Sequence, residues 1–322
     1  MIRVQSNENL RKRGYDFLEK IKFVIYFLLL KISYVFNSFK KVHVGNFYQG
    51  KLQNLKLKQV DPNILFVHIG KCSGTTILRS LNFSGYNCNF MHIQKPLYFN
   101  SFKYFIWVRH PVSRLISAFN MSKEIIETDI ELFSGLEVNM FNFPGHERLK
   151  RRIEGKAAFS PSFDAAVKYF RDVSHFAESL DSKTVEEREM ALYLIKSERE
   201  HIGMSISYYL ENDNSEQILR KNCLFVGRTE YFESDWKKLL VILGLSSDLE
   251  IFKMRKNRTT LPNKISQKGM DNLKNYLDKE YLSLEMLKRL GFLNPQTMRE
   301  YRNNEKFIKP YENRTRKKLV DI

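Results

Sequence analysis

The sequence predicts an α/β fold in which a parallel sheet is flanked by helices, with substantial helical additions. Two stretches share one grammar, "FVHIGKCSGTTILRSL" over Phe66–Leu81 and "KYFIWVRHPVSRLISAFN" over Lys103–Asn120: an apolar strand, a polar break, then apolar positions at helical spacing. A third apolar run, "CLFVG" over Cys223–Gly227, leads through "RTEYFESD" into the amphipathic "WKKLLVILGL". Charge gathers in the breaks, and the strand ends of a parallel sheet are where a ligand is collected.

Taken in chain order, the elements begin with an apolar stretch, Phe23 to Leu30, interrupted by Lys31 and flanked by lysines. It is shorter than the ~20 residues a spanning helix needs, and no small-residue cleavage site follows. A packed helix, an interfacial helix docking on a membrane and a marginal signal anchor all fit this stretch. Lys51 to Asn63 reads as a linker whose Asp61-Pro62 pair precedes the first firm strand, "ILFVHI". The division predicted is therefore an N-terminal segment over 1–62, a catalytic domain over 63–295 and a basic tail over 296–322. Within the domain, the Asn-rich "NFSGYNCNFMHIQKP" reads as a loop, and Pro111 opens the helix after the second strand. Glu124 to Glu200 reads as mostly helical, with Thr184 and Glu187 spaced as a capping box. "DNLKNYLDKEYLSLEMLKRLGF" reads as the last helix, ended by Gly291.

Composition narrows the function classes. Lys and Arg number 53 against 36 acids, and the resulting net charge of +17 favours an anionic partner. Nucleic acid is the weakest choice, because no recognised binding module or aromatic-basic platform occurs. The 3 cysteines, Cys72, Cys88 and Cys223, have spacings of neither a disulfide framework nor a zinc site, which points to a reducing compartment.

The chemistry sits in the two breaks. A loop at a helix N-terminus offers unpaired N–H groups and the positive end of the helix dipole, so it suits a phosphate-like anion. Gly70 and Gly74 allow close backbone approach, Lys71 adds a mobile charge, and Thr75 and Thr76 add hydroxyls. The logic is P-loop-like, but the nucleotide P-loop spacing is absent, since the lysine precedes the second glycine. The second break spells R-x-P-x-x-R-x-x-S through Arg109, Pro111, Arg114 and Ser117, with a guanidinium fork at the strand end. Together the breaks describe a ligand with two separated anionic groups.

With those residues in view, the chain resembles the sulfotransferases that use 3′-phosphoadenosine 5′-phosphosulfate (PAPS), particularly the carbohydrate-directed branch. "HIGKCSGTT" is similar to that family's 5′-phosphosulfate loop, and "VRHPVSRLISAF" to its 3′-phosphate motif. The match covers roughly Ile64 to Asn120, and "LFVGRTEYFESDWKKLLVILG" is a looser likeness to a later segment. Gly70, Cys72 and Ser73 stand where the family usually has Pro, Thr and Gly, and His110 stands for Asp. The resemblance implies PAPS as donor, a carbohydrate hydroxyl as acceptor and no metal. It assigns donor binding to the loop Gly70, Lys71, Cys72, Ser73, Gly74, Thr75 and Thr76, with Arg109 and Ser117. Lys71 is also expected to stabilise the leaving oxygen.

An acceptor hydroxyl needs a general base, and histidine suits neutral pH. His92 ranks first, falling between the two breaks where related enzymes often keep a catalytic histidine. His201 ranks second, followed by the aromatic pair Tyr208-Tyr209 that would line a sugar site. His68 and His110 read as structural, His43, His146 and His175 rank low, and Glu230 is a carboxylate alternative. Arg255, Lys256 and Arg258 read as a basic loop, either solvated or closing over the nucleotide. Two other classes compete: another nucleotide-dependent phosphate-handling enzyme, and a non-enzymatic basic protein docking on membranes or polyanions. Cytoplasmic placement with peripheral membrane contact through the N-terminal helix is expected, a Golgi-type signal-anchored enzyme being the alternative.

Overall fold

The computed structural model describes residues 58–92, 96, 98–127, 148, 151–152, 154–198, 200–211, 214–251, 261 and 264–303. The apolar stretch Phe23 to Leu30, His43, His146, the basic group Arg255, Lys256 and Arg258, and the chain beyond Asn303 lie outside them. Among the described residues, no helix is long and apolar enough to cross a membrane.

The fold is α/β, with parallel strands flanked by helices. In chain order the elements are β1 (Lys58–Gln59), β2 (Ile64–Val67), α1 (Gly74–Phe83), β3 (Tyr86–Asn87), β4 (Asn89–Met91), β5 (Lys103–Val108) and α2 (Pro111–Glu127). They continue with α3 (Pro161–Tyr169), α4 (Val173–Ser179), α5 (Val185–Lys196), α6 (Ile206–Leu210), α7 (Ser215–Asn222), β6 (Cys223–Arg228) and α8 (Phe232–Ile242). The last three are α9 (Gln267–Tyr276), α10 (Asp278–Arg289) and α11 (Pro295–Arg302). The main sheet runs β4-β2-β5-β6, parallel throughout, and β1 pairs with β3 in a second parallel pair.

Both faces of the sheet are covered, which is why β2 and β5 read as unbroken apolar runs. On one face Ile64, Phe66, Phe105 and Trp107 pack with Ile77, Leu78 and Leu81 of α1 and Trp236, Leu239 and Leu240 of α8. Phe66 and Phe105 are register partners whose rings stack at 4.6 Å. Leu65, Val67, Tyr104, Ile106 and Val108 alternate to the other face and are equally buried. Gly227 of β6 is small for a packing reason: a Cβ there would lie 2.4 Å from the Trp107 ring.

Local chemistry sets most helix starts. Ser160, Asp172, Ser205, Ser266 and Asn294 each accept a backbone N–H of the first turn through the side chain, and Pro161 and Pro295 sit where a missing N–H costs nothing. Pro111 opens α2 as expected. Three sequence readings are corrected. The Asn-rich stretch read as a loop holds β3 and the edge strand β4, because pairing to β2 rather than apolar content fixes it. The helix expected over 271–292 breaks at Leu277 into α9 and α10, and a further helix, α11, follows. The capping box does not form: Thr184 makes no side-chain cap, and Glu187 instead accepts from His175 Nε2 at 2.7 Å and from Ser182.

One buried ion pair joins the sheet's helices to the helical half. Arg114 of α2 is fully buried, and its Nε and Nη2 meet both oxygens of Glu280 on α10, at 3.0 and 2.7 Å. Its Nη1 also donates to the backbone carbonyl of His201 at 2.8 Å. Removing one member of such a pair strands the other charge away from water. Glu280→Ala is expected to cost about 3–5 kcal/mol of folding stability, read as a fall in denaturation midpoint; an unchanged midpoint would show the pair to be dispensable.

Candidate functional site

Every strand of the main sheet ends on one edge, and the residues after those ends form the site. His92 follows β4, His68 to Gly74 follow β2, Arg109 and His110 follow β5, and Thr229 and Glu230 follow β6.

The first loop is tightly wound. Lys71 and Ser73 both adopt left-handed backbone, at φ 67° and 61°, a conformation that costs an L-residue roughly 1–2 kcal/mol. Ser73 stands where the resembled family carries glycine, so the loop keeps a glycine-type turn without the glycine. Its hydroxyl does not cap α1 but donates to Thr229 Oγ1 at 3.2 Å, and Thr229 in turn donates to Val108 O at 3.2 Å, tying both loops to the end of β6. The first i→i−4 bond of α1 runs from Ile77 N–H to the carbonyl of the N-cap Ser73 at 3.1 Å. The N–H groups of Gly74, Thr75 and Thr76 therefore precede the ladder, and among the described residues they have no acceptor. Gly74 and Gly70 are close-approach positions: a Cβ on Gly74 would lie 1.8 Å from His68 Cδ2, and one on Gly70 2.4 Å from His201 Nδ1. The side chain of Cys72 is buried in the fold, and burial pushes its thiol up to about 12, so it stays neutral.

Two cations meet here with no carboxylate in contact. Arg109 Nη1 donates to the backbone carbonyl of Lys71 at 3.2 Å, and Lys71 Nζ sits 3.1 Å from the Met121 sulfur. Among the described residues neither forms an ion pair. Burial, then the neighbouring Arg109 and Arg148, push the Lys71 ammonium down to about 8. Burial likewise lowers Arg109. Arg148, which sequence reading passed over, pairs with Glu200 at 2.6 Å and lies against the Phe159 ring at 4.3 Å. Ser117 lies half-buried on α2, in the motif that begins at Arg109.

The histidines form a stack beside this loop. His68 and His92 rings lie 4.0 Å apart and nearly parallel, and His92 and His201 are 5.1 Å apart. A carbonyl can only accept, so the 2.9 Å contact of His92 Nδ1 with His68 O fixes the proton on Nδ1 and leaves Nε2 of a neutral ring as a lone pair. Burial, more than the nearby Arg148 and Lys71, takes His92 down to about 4, with the His68 carbonyl opposing. Burial and then His92 hold both His68 and His201 well below the ordinary range. His68 Nδ1 and His201 Nδ1 are buried without a hydrogen-bond partner among the described residues. His68, read as structural, thus belongs to the same cluster as the two candidates. Nothing in one sequence signals that stack, because the three residues come from three separate segments.

The remaining candidates have structural occupations. His110 is fully buried, donating Nε2–H to Tyr301 O at 2.9 Å and accepting Ser113 N–H on Nδ1 at 3.3 Å. Glu230 accepts His110 N–H at 2.9 Å and Tyr301 O–H at 2.7 Å. Tyr209 is wholly buried and only Tyr208 reaches partial exposure, so the pair does not form a two-ring wall for a sugar. Among the described residues, no group of three His, Cys, Asp or Glu is arranged to hold a metal ion. Neither a protein-family model, nor a curated protein, nor a solved structure matches the chain.

The stack carries a pH signature. Unfolded, His92 takes up a proton near 6.5, whereas folded it resists down to about 4. Between those values the unfolded chain binds more protons, so stability is expected to fall as pH drops through that window. Melting temperature measured from pH 7 to pH 4 checks this, and His92→Phe is expected to flatten the decline.

Proposed function

We propose that the protein transfers a sulfuryl group from PAPS to a hydroxyl of a carbohydrate acceptor. The observation that carries this reading is the contact between the two cationic breaks: Arg109 touches the Lys71 carbonyl, at the ends of adjacent parallel strands, and among the described residues neither cation is joined to a carboxylate in an ion pair. A donor set of one ammonium, one guanidinium and free helix-start N–H groups fits a ligand bearing two anionic groups.

In this reading Lys71 and the N–H groups of Gly74, Thr75 and Thr76 take the 5′-phosphosulfate, with Gly70, Cys72 and Ser73 shaping the loop, while Arg109 and Ser117 take the 3′-phosphate. The acceptor oxygen bonds to sulfur as the bond from sulfur to the bridging phosphate oxygen breaks, and the acceptor proton passes to a base. Lys71 stabilises charge growing on the departing oxygen. His92 is the base, since its Nε2 lone pair is held ready by the Nδ1–H bond to His68 O. His201, its ring tilted against His92 at 5.1 Å and lying close to Gly70, is the second candidate. The carbohydrate acceptor rests on the spelling of the two motifs.

A transfer assay with sulfur-labelled PAPS against a panel of glycans tests the reaction. Lys71→Ala and His92→Ala are each expected to lower kcat at least roughly a hundredfold, the usual scale for one general base or charge-stabilising group. Stabilisation by ATP with magnesium but not by adenosine 3′,5′-bisphosphate would instead mark a phosphate-transfer enzyme. Loss of affinity merely in proportion to charge, with steep salt dependence, would mark a polyanion-binding protein.

The dependence of kcat/KM on pH follows from His92 and Lys71. His92 must be neutral and Lys71 protonated, so activity is expected to rise through about 4 and fall through about 8. A basic limb that persists at the same pH in Lys71→Arg would remove Lys71 from that role.

A further inference from the structure

The C-terminal helix reaches the second cationic loop through one residue. Tyr301 of α11 is fully buried; its hydroxyl donates to Glu230 Oε2 at 2.7 Å, and its backbone carbonyl accepts Nε2–H of His110 at 2.9 Å. The other oxygen of Glu230 accepts the backbone N–H of His110 at 2.9 Å. The same turn fastens the helix twice more, through Arg228 to Thr297 Oγ1 at 2.8 Å and through the Tyr231 hydroxyl to Glu300.

This arrangement decides the state of Arg109. Glu230 is the carboxylate that most supports charge on Arg109, yet no ion pair joins them, and the guanidinium donates to a backbone carbonyl instead. Both Glu230 oxygens already have donors, one from the loop backbone and one from Tyr301. We infer that Tyr301 is a positioning residue: its hydroxyl holds the Glu230 carboxylate away from Arg109 and so keeps the guanidinium open to the 3′-phosphate of the donor. The inference rests on the reading of Arg109 as the ligand of that phosphate. Without the hydroxyl, Glu230 Oε2 loses its donor in a half-buried place, and Arg109, whose charge this carboxylate most supports, is the cation it turns to. An ion pair there would compete with the incoming phosphate.

Calorimetric titration of the full chain with adenosine 3′,5′-bisphosphate and with adenosine 5′-monophosphate tests this, because only the first carries a 3′-phosphate. The parent is expected to hold the bisphosphate more tightly. Tyr301→Phe is expected to weaken the bisphosphate roughly tenfold, the scale of one charge-assisted hydrogen bond, and to leave the monophosphate unchanged. Adding Glu230→Gln to Tyr301→Phe restores the parent's affinity, since an amide cannot neutralise Arg109; a purely structural tyrosine would be made worse by the second change. No loss in Tyr301→Phe, an equal loss for both nucleotides, or no restoration overturns the inference. Should Tyr301→Phe fail to fold, Glu230→Gln in the parent is the deciding variant: it is expected to bind the bisphosphate at least as tightly, and weaker binding overturns the inference. A parent that does not distinguish the two nucleotides overturns the donor reading itself, so the two failures are separable.

Discussion

Parallel strands that share a sheet end on the same edge, and most of the candidate site stands just beyond those ends. β4, β2, β5 and β6 deliver His92, the Gly70–Thr76 loop, Arg109 and Thr229 to one place, although the chain between β5 and β6 is more than a hundred residues long. Antiparallel pairing would have sent alternate breaks to opposite edges. The hydroxyl of Thr229 makes the convergence specific, since it touches Ser73 of the first loop and Val108 at the mouth of the second.

What accumulates at that edge is electrostatically costly. Lys71 and Arg109, both half-buried, repel one another, and three imidazoles cluster, two stacked and the third tilted, with two ring nitrogens left unpartnered among the described residues. Two residues in left-handed backbone add strain within the same short loop. A surface evolved only for stability would place carboxylates beside the cations, and the fold does so elsewhere, at Arg114–Glu280 and Arg228–Asp235. In the function proposed, an anionic donor supplies what the edge lacks and raises the pKa of Lys71 and of the imidazoles as it binds. The cost of this edge is offset by the buried aromatic sheet below and by helix caps that hold the flanking elements without help from the site.

Much of this frame was readable in the sequence, for physical reasons. Apolar runs buried on both faces, the proline at the first turn of α2 and the small-residue loop before α1 are local signals, and local signals survive without a structure. Hidden features depend on partners remote in the chain. β4 is polar enough to pass for a loop and is a strand only because β2 offers it hydrogen bonds. Glu187 looks like half of a capping box, but His175 draws it away. Tyr301 lies in a basic stretch with the composition of a solvated tail, and its burial between His110 and Glu230 is a tertiary fact. The histidine stack is the extreme case, since His68, His92 and His201 share no sequence spacing at all.

The two arginines of one motif show why spelling alone does not assign chemistry. Arg109 and Arg114 both belong to R-x-P-x-x-R-x-x-S, the first half-buried and the second wholly buried, yet they end in opposite states. Arg114 points into the helical half, where Glu280 takes its fork with both oxygens and the carbonyls of His201, Ile202 and Met204 take the rest. It is saturated, and its work is to hold His201 against the first loop. Arg109 points along the strand edge, where the one carboxylate near enough to matter is already held by His110 and Tyr301. A guanidinium with its donors largely unspent beside an ammonium without an ion pair among the described residues is what the proposed donor site rests on; the same group five residues on, with every donor engaged, is a joint in the fold. The difference lies entirely in which carboxylate the fold allows to reach which cation.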